Sequence, residues 1–135
     1  MSKIAFDLDG VLVPDCEKIP NLGDLGEYLE LATHMLPLFE PSGKYWIITA
    51  RPKQYKKITS RWIKKHLKNP PSKLHHDGVD ETPAKYKARI LNANPKIQTY
   101  VESDINIVLE LLSTVNTGCK IIHYNTFVSS IMAKL

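Results

Sequence analysis

Cysteine is scarce in this chain. Cys16 and Cys119 are the only two in 135 residues, too few and too far apart for a disulfide framework or a zinc knuckle. A reducing, cytoplasmic setting is the corresponding expectation. Long apolar runs are missing too: none approaches the roughly 18 residues that a membrane span needs. The opening M-S-K-I-A-F-D breaks its apolar stretch with Asp7, too early for a secretory signal. Repeats and low-complexity segments are absent, and no stretch reads as an interdomain linker. With 43% apolar and 24% charged residues, a disordered or fibrous chain is excluded. The length predicts one domain over 1–135, large enough for a real core and too small for a second substrate domain.

The most informative scarcity is local. Residues 41–76 contain no acidic side chain and 10 basic ones, whereas residues 1–40 contain 8 acidic and 2 basic. The remaining residues hold 6 of each, so the net charge of +4 resides in the middle third. Such asymmetry points to an anionic partner, set against the plainer reading of a solvated lysine-rich helix.

Short apolar segments alternate with helical ones. Lys3–Leu8, Lys44–Thr49, Lys73–His76, Ile97–Glu102 and Cys119–Tyr124 read as strands. Gln54–Leu67 reads as a helix, because Tyr55, Ile58, Trp62, Ile63 and Leu67 recur at steps of three and four. Thr82-Pro83 supplies an N-cap and a first-turn proline for a helix to about Asn92. Asp104–Ser113 and Phe127–Leu135 complete the set, and Leu25–Leu36 is a weaker helix weighed down by Gly23, Gly26 and Pro37. Five strands with helical crossovers predict an α/β, Rossmann-like three-layer sandwich with a mainly parallel sheet.

Ligands in such sheets bind beyond the carboxyl ends of the strands. There the sequence places Asp7 and Asp9 with Gly10, then Thr49 and Arg51, then Glu102, Ser103 and Asp104; the helix after Thr82 carries Lys85 and Lys87. This set suits phosphoryl transfer. One carboxylate can attack phosphorus, a second can protonate the leaving oxygen and later activate water, and a hydroxyl and a lysine can bind the phosphoryl oxygens. Crowded carboxylates call for a cation, and hard oxygen ligands select Mg²⁺. The pair His75-His76 also resembles a metal cluster, but neighbours in a strand face opposite ways.

At these positions the chain resembles the haloacid dehalogenase-type phosphohydrolase superfamily. The resemblance rests on I-A-F-D-L-D-G-V-L at Ile4–Leu12, W-I-I-T at Trp46–Thr49 followed by A-R-P, A-K-Y-K-A-R-I-L around Lys85 and Lys87, and Y-V-E-S-D at Tyr100–Asp104, all in the family's order. It implies that Asp7 is the nucleophile and a Mg²⁺ ligand, and that Asp9 is the general acid/base whose backbone carbonyl also binds the metal. Thr49 would hold the phosphoryl group, and Lys87, or else Lys85, would neutralise it. Glu102 or Asp104 would contribute to the metal site. Gly10 would permit a tight turn beside the phosphate. Arg51 would touch substrate or form only a surface ion pair.

Caps in this superfamily are inserted between these motifs. Only 39 residues separate Asp9 from Thr49, and 37 separate Thr49 from Lys87, so the resemblance implies no full cap and an open site, with Val13–Leu25 as a candidate flap. The helix after Thr49 carries basic residues 53, 56, 57, 61, 64 and 68 largely at steps of three and four, and T-A-R-P with R-W-I-K-K-H-L is similar, over a short stretch, to polynucleotide phosphatase domains. The expected substrate is a nucleotide or a nucleic-acid terminal phosphate. The alternative is a nucleic-acid- or protein-binding module on a phosphatase-like fold. A dehalogenase is disfavoured, since Asp9 is present.

Overall fold

The computed structural model describes residues 3–15, 25–76 and 81–133. In chain order these form β1 (Ile4–Phe6), α1 (Leu25–Ala32), β2 (Trp46–Ile48), a 3₁₀ turn (Lys53–Tyr55) leading into α2 (Lys56–His66), β3 (Lys73–His75), α3 (Pro83–Ala93), β4 (Thr99–Glu102), α4 (Ile105–Thr114), β5 (Lys120–His123) and α5 (Tyr124–Met132). The expected flap falls largely on residues 16–24, outside the described residues, as does Cys16.

All five strands pair in parallel, in the order β3-β2-β1-β4-β5. Their side chains alternate between two cores. Phe6, Ile47 and Val101 pack on one face with Leu29 and Ala32 of α1, Trp62 and Ile63 of α2, and Tyr124 and Phe127 of α5. Ala5, Trp46, Ile48 and Tyr100 pack on the other with Tyr86, Ile90 and Leu91 of α3 and Leu111 of α4. Apolar side chains on both faces explain why W-I-I is a continuous apolar run rather than an alternating one. This is the three-layer α/β arrangement expected from sequence, with the sheet wholly parallel.

Most boundaries follow local chemistry. Thr82 Oγ1 accepts from the Lys85 amide at 3.3 Å with Pro83 at the first helical position, and Asp104 Oδ1 accepts from the Asn106 amide at 2.8 Å. Each cap satisfies an amide that the helix itself leaves without a partner. Two helices differ from expectation. α1 ends at Ala32, well before Pro37. α5 begins at Tyr124, three residues earlier than its periodicity suggests, because His123 Nδ1 caps it by accepting from the Asn125 amide. Trp62 is core, 3% exposed, with its indole N–H donating to the Met35 carbonyl.

The chain runs outward from β1 through β2 to β3, then returns to the other side of β1 for β4 and β5. The carboxyl ends of β1 and β4 therefore flank the switch point, where a crevice opens in sheets of this kind.

Candidate active site

The loop after β1 explains why two aspartates alternate with apolar residues. The amides of Val11, Leu12 and Val13 all converge on the Leu8 carbonyl, and Leu8, Val11, Leu12 and Val13 are buried. These apolar residues anchor the turn, while Asp7 and Asp9 line a cleft of about 220 Å³ together with Thr49, Arg51, Lys87, Glu102, Ser103 and Asp104. Gly10 adopts φ +83°, and a Cβ there would lie 2.6 Å from Ser103 Cβ. Only glycine permits both that dihedral and the close approach of β1's loop to β4's end.

Asp7 and Lys87 sit at the bottom. Asp7 is 5% exposed and Lys87 is 3% exposed. The Lys87 ammonium lies 2.7 Å from Glu102 Oε1 and 3.2 Å from Asp7 Oδ1. Glu102 is held on all sides: Oε1 also accepts from the Tyr100 hydroxyl at 2.8 Å, and Oε2 accepts from the amides of Ser103 and Asp104. Burial alone would raise the Glu102 pKa, but Lys87 and hydrogen bonding with Asp7 and Tyr100 lower it. Asp7 goes the other way: burial and the neighbouring Glu102 push it well above the usual carboxylate range, against the pull of Lys87. Burial opposes the charge on Lys87, yet Asp7 and Glu102 together raise its pKa. One lysine thus serves two carboxylates, with Glu102 the nearer.

Asp9 is held differently. Arg51 Nε donates to Oδ2 at 2.9 Å and Arg51 NH2 to Oδ1 at 2.6 Å, a bidentate pair. Arg51 is itself only 6% exposed. Its NH1 donates to Thr59 Oγ1 of α2 at 2.9 Å, and the Thr59 hydroxyl lies 2.9 Å from Nε2 of buried His76. Thr49, 1% exposed, accepts from the Arg51 amide at 3.2 Å.

Most of the sequence-predicted residues converge here, with some reassignment. Lys87 enters the cleft, while Lys85 is exposed on α3 and does not line it. Arg51 is no surface ion pair, because α2 covers it from behind. Glu102 is the counter-ion of Lys87, and Asp104 spends one oxygen capping α4 on the rim. His75 and His76 do face opposite ways: His75 packs 5.2 Å from the Trp46 ring, and His76 meets Thr59.

The sequence placed Ser103 on the rim between Glu102 and Asp104 but gave it no role. Its hydroxyl lies 3.1 Å from Asp7 Oδ2 and 2.9 Å from the Asp9 carbonyl, and its own carbonyl lies 3.0 Å from His123 Nε2. The available signal was strand alternation, which turns Ser103 away from Glu102 and toward the β1 loop.

Among the described residues no cluster of three or more His, Cys, Asp or Glu stands ready as a metal site. The donors around Ser103 nonetheless fit a hard cation. Two acceptor oxygens, Asp7 Oδ2 and the Asp9 carbonyl, compete for one hydroxyl proton. Asp7, Asp9 and Glu102 also outnumber Lys87 and Arg51 among the paired charges of the cleft. Mg²⁺ commonly takes one or two carboxylates and fills its remaining positions with water and phosphate. Comparison with protein-family models, curated proteins and solved structures gives no match.

Proposed function

We propose that this cleft hydrolyses phosphomonoesters through an aspartyl-phosphate on Asp7. The observation that carries the reading is the convergence of buried Asp7, Thr49 and Lys87 with half-buried Asp9, from three separate elements, on one small crevice at the switch point.

Asp7 attacks phosphorus in line with the leaving oxygen. A carboxylate O–P bond forms, the ester P–O bond breaks, and the electron pair leaves with the ester oxygen. Asp9 supplies the proton that oxygen needs, then takes a proton from the water that attacks the aspartyl-phosphate and releases inorganic phosphate. Lys87 and the Thr49 hydroxyl bind the phosphoryl oxygens as charge spreads over them. Asp7 Oδ2, the Asp9 carbonyl and the rim Asp104 would hold Mg²⁺, with Ser103 bracing the first two. When bound, Mg²⁺ adds the positive charge that keeps Asp7 ionised and offsets the phosphate. Arg51 occupies both carboxyl oxygens of Asp9, so proton transfer requires that clamp to loosen as substrate enters.

The open cleft suits the terminal phosphate of a nucleotide or a nucleic-acid end. Among the described residues no helix is long and apolar enough to cross a membrane; we place the reaction in the cytoplasm.

A second reading, a binding module without turnover, draws on one observation: Arg51 occupies both oxygens of Asp9. Purified protein with Mg²⁺ and an aryl phosphate separates the two. Wild type is expected to release phosphate, and Asp7→Asn to lower the rate at least about a thousandfold. Equal rates in the two proteins would remove Asp7 from its role. Binding of phosphate esters without release would favour the module.

A further inference from the structure

A second depression lies outside the cleft. It is an open groove of about 870 Å³ lined by Lys53, Lys56, Lys57, Arg61 and Lys64, with Ile63, Pro70, Pro71 and Leu74 as its apolar surface. Among the described residues no carboxylate lines it, and none of these five cations has an ion-pair partner. All five are exposed. Lys68, which the sequence pattern adds to the stripe, lies past the end of α2 and does not line the groove.

Three features narrow what this groove can hold. The first is charge: a row of one sign, without internal partners, gains most from an anion brought from outside. The second is repeat. Lys53, Lys57, Arg61 and Lys64 follow one another by about one helical turn, so cations recur every ~5 Å over a length of ~16 Å. A discrete small anion would use one or two of them, whereas a chain of phosphates uses all. The third is continuity. Arg51 and Pro52 line the cleft, and Lys53, the next residue, opens the groove. From there α2 runs back across one face of the sheet as the crossover between the parallel strands β2 and β3, away from the rim. A concave groove of this length is ill-shaped for a flat membrane surface.

We propose that the α2 groove binds the sugar–phosphate backbone of a single-stranded polynucleotide, directing its phosphorylated end into the Asp7 cleft. The delivery of the end rests on the phosphatase reading; binding along the groove does not. At about 3.4 Å per stacked nucleotide, the row of cations spans roughly five. Among the described residues its lining contains no aromatic side chain, so it lacks the stacking platforms that favour particular bases. Binding is therefore sequence-tolerant and driven by phosphate contacts.

The test uses the full chain carrying Asp7→Asn, so that bound ends persist, and a fluorescein-labelled single-stranded dodecamer with a terminal phosphate, read by anisotropy across salt. Adding Lys57→Glu, Arg61→Glu and Lys64→Glu together is expected to weaken binding at least tenfold. The slope of log affinity against log salt should fall by about 2, from three lost phosphate contacts. The control is Lys120→Glu, an exposed lysine on β5 at the opposite sheet edge; it should change affinity less than twofold. Thermal melts of the triple variant verify that it folds.

Equal weakening by Lys120→Glu would reduce the effect to net charge and overturn the groove. Polyglutamate of equal charge competing as well as the dodecamer would overturn the assignment to nucleic acid. The two proposals fail separately. Groove-dependent binding with no phosphate release by wild type keeps the groove and removes the phosphatase. Release from mononucleotides with no groove-dependent binding does the reverse.

Discussion

The two sides of β1 handle charge in opposite ways. On the β4 side, Asp7, Lys87, Glu102 and Tyr100 are buried, and each polar atom there has a named partner within about hydrogen-bond distance. On the β2 side, α2 carries a row of exposed cations with no acidic neighbour in residues 41–76. Burial forces pairing, because an isolated charge in a low-dielectric interior costs several kcal/mol or more. Exposure removes that requirement, since water and salt screen like charges. The paired side thus has its charges fixed in one geometry. The unpaired side keeps its charge available for an outside partner. Arg51 joins the two, reaching Asp9 in the cleft with one edge of its guanidinium and Thr59 of α2 with another.

This contrast can be broken most sharply at Lys87. Lys87→Met removes the shared cation while keeping the side-chain length, and leaves Glu102 and Asp7 buried without it. Urea unfolding is expected to show a loss of about 3–5 kcal/mol, with phosphate release abolished. An unchanged midpoint would mean that the buried side is not held by charge matching. A smaller effect is expected at Tyr100. Tyr100→Phe deletes one of the donors to Glu102 but leaves Lys87 and two amides in place, so stability should drop by about 1 kcal/mol. A loss as large as that of Lys87→Met would make the hydroxyl, rather than the ammonium, the main support of Glu102. The smallest effect belongs to the exposed row. Lys57 stands four residues from both Lys53 and Arg61, so Lys57→Gln relieves like-charge repulsion and should raise stability by no more than about 0.5 kcal/mol. A clear destabilisation would show that this lysine belongs to the packed structure rather than to a free surface.

Much of the site was legible in sequence because its determinants are local. D-L-D-G places two carboxylates at alternate positions of one turn, and the intervening apolar residues declare which side is buried. W-I-I-T marks a strand covered on both faces that ends in a hydroxyl. Thr82-Pro83 announces the start of α3, and with it the helix that carries Lys87. The choice between Lys85 and Lys87 was less accessible. Two lysines two residues apart on a helix differ by more than half a turn in direction, and only the packing of α3 against β4 decides which one faces inward.

Other features depend on segments distant in the chain. Ser103 matters because Gly10 brings the β1 loop within contact of it, 93 positions away in the chain. Arg51 becomes a buried clamp because α2 folds back over it and supplies Thr59, with His76 behind. Glu102 is drawn to Lys87 rather than left as a free metal ligand because α3 presents that lysine at 2.7 Å.

Sequence alone determined the alternation of strands and helices, the parallel α/β class, the order of the acidic, hydroxyl and basic positions, and the segregation of positive charge into one segment. Those follow from side-chain periodicity, capping and composition, which act over a few residues. The tertiary structure decided which of the eligible side chains meet. That outcome depends on strand order, on the approach of two loops at a glycine, and on which face of each helix is buried. Pairing of buried charges is a property of surroundings, and the surroundings are assembled only when the sheet is complete.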